Sequence, residues 1–223
     1  MNTLAKTRSL PSGAFAGEQL KVLRNTYALL SATLLFSAMT TGISMAMNFG
    51  HPGILITLGA YFGLLFGIHK CQNSHWGIAL VFALTGFMGI TLGPILNMYL
   101  TMANGGQIIM LSLGLTGVTF VSLTAYALVT QKDFSNWRTT LTVGIMVAFL
   151  ASLAGIFFQI PALSLSVSVM FMLLMSGLIL YETSNIIHGG EHNYILATVT
   201  LYISIYNMFL SLLHVLGFLN NND

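Results

Sequence analysis

Residues 162–187 read ALSLSVSVMFMLLMSGLILYETSNII, a run whose one charged side chain, Glu182, stands five residues before its end. An apolar run of this length is too long for a strand and too uniform for the single buried face of a surface helix. At 1.5 Å per residue, a helix of about 20 residues crosses a hydrocarbon core of about 30 Å. Working outward, residues 25–47, 53–68, 77–100, 108–130, 140–160 and 194–218 form six more such runs, the shortest being 53–68. The breaks carry turn chemistry: Gly50-His51-Pro52, Asn73-Ser74-His75, Asn104-Gly105-Gly106, Ile160-Pro161 and His188-Gly189-Gly190. The sequence therefore predicts an all-α integral membrane protein, a bundle of seven transmembrane helices. A polar N-terminal tail over 1–24, expected to lack regular structure, precedes a membrane domain over 25–219, and 220–223 form a short C-terminal tail.

Composition agrees. Charged residues are 5% of the 223-residue chain, against roughly 25% in a soluble domain, and the mean hydropathy is +0.85. No soluble domain fits between the runs. The single cysteine, Cys71, excludes an intramolecular disulfide, and there is no CxxC pair. Ser44-Met45-Ala46 resembles a signal-peptide cleavage site, but the preceding apolar run exceeds the usual ~7–15 residues, so an uncleaved helix is expected.

Charge placement gives the orientation. Lys6, Arg8, Lys21, Arg24, Lys70, Lys132 and Arg138 all fall in the N-terminal segment, the second-to-third connection or the fourth-to-fifth connection. Lys and Arg are retained on the cytoplasmic face, which places the N-terminus in the cytoplasm and, after seven crossings, the C-terminus outside. The loop 188–193 then lies on the cytoplasmic side.

Glu182 is the one acidic residue embedded in a span, near its cytoplasmic end, where a carboxylate costs less than at the bilayer centre. It reads either as a structural, snorkelling group or as a titratable gate. Along the last run, Thr200, Ser204, Asn207, Ser211 and His214 recur at spacings of 4, 3, 4 and 3, one stripe of a helix, with Tyr202 and Tyr206 nearby. Such a stripe faces protein, so the seventh helix is expected to be central. Its polar groups serve interhelical packing or line a polar cavity. Gly86, Gly89 and Gly93, followed by Pro94, predict close packing and a kink in the third helix, with a broken helix at a transport site as the sharper reading.

His188-Gly-Gly-Glu191-His192 matches the H-x-x-E-H pattern of inverted zinc peptidases. That chemistry needs both histidines on one helix face, and Gly189-Gly190 favours a turn, so no metal is expected. His188 and His192 remain candidates for titration near neutral pH. There is no HExxH, GxSxG, intramembrane aspartate pair or phosphate-binding loop, and no embedded lysine for a retinal Schiff base. The chain is not expected to be an enzyme, to hold a cofactor or to bind nucleic acid.

The stretch Tyr181-Glu-Thr-Ser-Asn-Ile-Ile-His-Gly-Gly-Glu191, with Asn193-Tyr-Ile and Leu201-Tyr-Ile-Ser-Ile-Tyr-Asn-Met-Phe209, resembles the Bax inhibitor-1 family of seven-helix membrane proteins. The likeness extends to Lys21-Val-Leu-Arg-Asn-Thr-Tyr27, Leu92-Gly-Pro-Ile-Leu-Asn97 and Ala125-Tyr-Ala-Leu with Lys132-Asp133, nearly the whole chain. It is greatest to the bacterial branch that modulates the membrane protease FtsH. The resemblance implies an inner-membrane protein that binds FtsH, is gripped by its N-terminal tail and restrains degradation of other membrane proteins. Another branch is a pH-sensitive calcium leak gated by two acidic residues. Carried over by position, these are Glu182 and Ser204. Ser204 cannot ionise, so a cation path here would rest on Glu182 alone, hydrogen-bonded to Ser204.

Overall fold

The computed structural model describes residues 12–220 as seven helices in chain order: α1 Ser12–Ala46, α2 Ile54–Cys71, α3 His75–Leu100, α4 Gly105–Thr130, α5 Trp137–Phe158, α6 Pro161–Ile187 and α7 Tyr194–Asn220. All seven are long and apolar enough to cross a membrane. Their ends follow local chemistry. Ser74 accepts the Trp76 amide at the start of α3. Gln159 ends α5 in the left-handed region at φ 53, and Pro161 opens α6, where a missing N–H does no harm.

The N-terminal expectation needs correction. Residues 1–11 and 221–223, parts of the expected tails, lie outside the described residues, but 12–24 are helical and continue unbroken into the first span. The extension is held by packing. Val22 is buried with Ile186 and Ala197, and a Cβ placed on Gly189 would stand 2.9 Å from Gln19 Nε2, so α1 lies along the turn between α6 and α7. Polar composition suggested a free tail, but burial of Val22 against Ile186 and Ala197 supports a helix instead.

α7 is the central helix. It packs against α1, α3, α4 and α6; 56% of its span is buried, against 6% for α2. α2 lies outside α3 and α5 outside α6. Phe62 and Phe149 meet edge to face at 6.0 Å between these two outer helices.

The α1–α3 contact shows how the glycines of α3 are used. A Cβ on Gly89 would come 2.4 Å from the Ser37 carbonyl oxygen, and one on Gly93 would come 2.3 Å from Ser44 Oγ. Without side chains there, the two backbones approach closely. Pro94 lies inside α3 and cannot donate to the carbonyl of Ile90, one turn back. Ser44 Oγ donates to that Ile90 carbonyl at 2.7 Å, and Thr41 Oγ1 donates to the Gly89 carbonyl at 3.0 Å. Within lipid no water can meet a freed carbonyl, so a neighbouring hydroxyl must. Ser44, whose motif resembled a cleavage site, is thus a fully buried packing residue.

Candidate functional site

The end of the bundle that carries the α1 extension gathers the connections α2–α3, α4–α5 and α6–α7. On α6, Met175, Ile179, Glu182 and Ile186 are all buried and recur at spacings of 4, 3 and 4, the stripe that faces the interior. Helical periodicity alone therefore drives Glu182 inward, to 5% exposure. Its Oε1 meets no hydrogen-bond partner among the described residues, and Thr26 Oγ1 on α1 shares that condition. Thr26 is otherwise well tied, its carbonyl accepting from Thr198 Oγ1 at 3.2 Å. Next along both helices, Tyr27 and Thr183 place their hydroxyls 3.3 Å apart. A buried carboxylate oxygen without a partner is the group that burial makes most expensive to leave charged.

The expected Glu182–Ser204 hydrogen bond does not form. Ser204 is wholly buried and donates to the Thr200 carbonyl of its own helix at 2.8 Å.

Around Glu182, side chains hold the loops to the helix ends. Ser184 Oγ accepts the Phe134 amide at 3.1 Å and donates to the Lys132 carbonyl at 3.0 Å, fixing the α4–α5 connection against α6. Within that connection the Ser135 amide donates to Asp133 Oδ1 at 2.8 Å, and this bond holds the exposed Asp133 carboxyl below its ordinary range. Lys132 Nζ lies 5.8 Å over the Phe134 ring.

His188 ends α6 with Nδ1 2.8 Å from the Ser184 carbonyl oxygen. Gly189 follows at φ 72, and a Cβ on Gly190 would strike Asn185 Oδ1 at 2.1 Å, so the H-x-x-E-H stretch is a turn and not a helix face. Among the described residues no three His, Cys, Asp or Glu side chains converge on a metal position.

Sequence reasoning missed Asn193, which staples two loops. Its Oδ1 accepts the Ile195 amide at 2.9 Å at the start of α7, and its Nδ2 donates to the Gln72 carbonyl at 3.0 Å. An Asn immediately before an apolar helix is the capping signal that could have found it. The two connections enclose a cleft of about 570 Å³ walled by His75, Glu191, His192 and Asn193.

The α7 stripe divides. Thr200 borders a cleft with His69 and Glu191, Ser204 sits in the core, and Asn207, Ser211 and His214 face a cavity shared with α5 and α6. His214 Nδ1 lies 2.7 Å from Ser168 Oγ of α6, whereas Ser204 and Asn207 bond their own helix. The interhelical bonds on the other side come from the tyrosines. Tyr202 OH meets Ser37 Oγ at 2.7 Å, and Tyr206 OH donates to the Met88 carbonyl at 3.3 Å.

Residues 19–222, which take in Glu182, the α6–α7 turn and all of α7, match the sequence model of the family described as inhibitor of apoptosis-promoting Bax1. The chain belongs to the Bax inhibitor-1 family. Among its relatives, the Escherichia coli K12 protein named Modulator of FtsH protease YccA is 52% identical over 198 residues, covering 89% of this chain and 90% of that one. The same identity and coverage hold for the E. coli O6:H1 protein named Inner membrane protein YccA. An uncharacterized protein of Pseudomonas aeruginosa is 49% identical over 202 residues, covering 91% of each. The Bax inhibitor-1 match thus spans the whole helical bundle and not one helix of it.

Proposed function

We propose that this protein lies in the bacterial inner membrane with its N-terminus in the cytoplasm and modulates an FtsH-type membrane protease by binding it, with no chemical step of its own. The observation that carries this reading is the 52% identity, through 89% of the chain, to a protein named as a modulator of FtsH. The orientation draws support from the position of Lys21, Arg24, Lys70, Lys132 and Arg138, which all stand at or beside one end of the bundle.

The geometry supplies a way of working. α1 has 35 residues, where about 20 suffice to span, so some four turns extend beyond the bilayer at about 3.6 residues each. This extension offers a helical handle preceded by residues 1–11. The rest of the bundle resists removal, because pulling α1 outward breaks its hydroxyl bonds to the α3 backbone and to Tyr202. A protease that grips the handle is held while extraction stalls, and other substrates are spared.

Co-purification with FtsH, and the half-life of a second membrane substrate, test this for the full chain and for a chain lacking residues 1–20, which stops short of the buried Val22. The full chain is expected to retain FtsH and lengthen the half-life, and the shortened chain to do neither. Unchanged retention and half-life after truncation would overturn the handle, and no retention by the full chain would overturn the reading itself.

A further inference from the structure

A cavity of about 310 Å³ lies between α5, α6 and α7 towards the end of the bundle opposite the α1 extension. Six polar residues face it: Ser152, Ser164, Ser168, Asn207, Ser211 and His214; the rest of the wall is apolar. It is separate from Glu182 and from the loops described above.

The hydrogen-bond inventory gives its character. Ser152 Oγ donates to the Phe149 carbonyl at 2.8 Å, Ser164 Oγ to Ile160 at 3.3 Å and Ser168 Oγ to Ser164 at 3.0 Å. Asn207 Nδ2 donates to the Ile203 carbonyl at 2.9 Å. The three serine protons are thus spent on helix backbone, leaving their lone pairs, and the Asn207 amide keeps one N–H beside its unused Oδ1. Taking the Ser168 proton to the Ser164 carbonyl, as its 3.0 Å bond allows, places the His214 ring proton on Nδ1 across their 2.7 Å contact. In the neutral ring His214 Nε2 is then a bare acceptor, as is Asn207 Oδ1. Ser211 retains a hydroxyl proton and Asn207 one amide proton to give. The wall holds more free acceptors than free donors, so it suits a guest with several N–H donors.

Position narrows the guest further. Ser164 is three residues into α6, about 5 Å along the helix, so the mouth lies near headgroup depth. A cationic guest there keeps part of its hydration instead of being carried to the bilayer centre.

We propose that this cavity binds a primary ammonium group through Asn207 and His214, supplied either by the headgroup of phosphatidylethanolamine or by a free alkylammonium ion. The apolar remainder of the wall suits the lipid.

Full-length protein in nanodiscs, assayed by native mass spectrometry for retained lipid, tests the site. Phosphatidylethanolamine is to be compared with phosphatidylcholine, whose ammonium carries the same charge and no N–H. Retention of the ethanolamine lipid is expected to exceed that of the choline lipid, and Asn207→Leu and His214→Phe are each expected to lower it about tenfold, as for one charge-assisted hydrogen bond. Competition by methylammonium together with that preference supports the site and shows that the free ion enters as well. A methylammonium-induced shift of the His214 imidazole nitrogens in wild-type protein, without lipid preference, supports the site with the free ion as its guest, and needs no variant to fold. Equal retention of the two lipids, with no shift of the His214 nitrogens by methylammonium, would overturn the proposal.

Discussion

The Tyr202 hydroxyl on α7 lies 2.7 Å from the Ser37 hydroxyl on α1, and it also donates to the Thr85 carbonyl of α3 at 3.3 Å. One side chain therefore joins three helices in a fully buried place. Tyr202→Phe keeps the ring and removes the bond, and is expected to destabilise the bundle by about 1 kcal/mol. Ser37→Ala should cost a similar amount, and the double variant less than the sum of the two. Thermal melts in detergent read these differences, and full additivity would show that the pair is not coupled.

The α1–α3 approach makes a sharper contrast. Gly89→Ala sets a methyl 2.4 Å from the Ser37 carbonyl oxygen, a backbone atom that no rotamer change can move away. Overpacking of this kind is expected to cost about 1–3 kcal/mol. Gly114→Ala on α4 meets nothing within 4 Å and should leave the melting temperature as it is or slightly higher. Equal melting temperatures for the two variants would contradict the packing.

Ser184→Ala strands the Phe134 amide in a buried position, since the Ser184 hydroxyl is its partner. The connection between α4 and α5 should then open, at a cost of about 1–3 kcal/mol. Faster amide exchange and faster proteolysis over residues 131–136 would report it; unchanged exchange at Phe134 would show that the bond is not made.

Asp133 gives a pH dependence with a definite sign. Its carboxyl is held below the ordinary carboxylate range, first by the Ser135 amide and next by the Ser135 side chain. The local order it contributes is therefore present above the unfolded-state value and lost as pH falls through the folded one. Carboxyl ¹³C titration should find Asp133 below an unperturbed aspartate, and Ser135→Pro, which lacks the amide hydrogen, should bring it back. An unshifted Asp133 in the wild type would remove the basis for this dependence.

The calcium comparison follows from Ser204. With its hydroxyl turned to the Thr200 carbonyl, Ser204 offers no carboxylate to share a proton with Glu182. Liposomes carrying the protein are expected to take up calcium at the same rate in mildly acidic and mildly alkaline buffer, and Glu182→Gln should match them. Acid- or alkali-dependent uptake that vanishes in Glu182→Gln would restore a gate at this residue.

The seven spans, the central seventh helix and the turn at Gly189 were legible in the residues, and each rests on a property that accumulates locally: hydropathy over a window, polarity along one stripe, conformational freedom at a glycine. The helix over 12–24 was not, because its stability comes from Val22 meeting Ile186 and Ala197 across the fold. The α7 stripe was visible as a stripe, yet its division between a core serine and a cavity holding Asn207 and His214 was not.

By itself the sequence determined the solvent this chain folds in, the number of crossings and the side on which its basic residues collect, since each depends on composition along one segment. Only the tertiary structure decided that Ser44 answers the carbonyl freed by Pro94, that Tyr202 reaches Ser37, that Asn193 joins two loops and that Glu182 Oε1 meets no partner among the described residues. Those pairings depend on the rotation and register of one helix against another. In a medium that supplies no water, they are set by which backbone and side-chain groups must find partners within the protein.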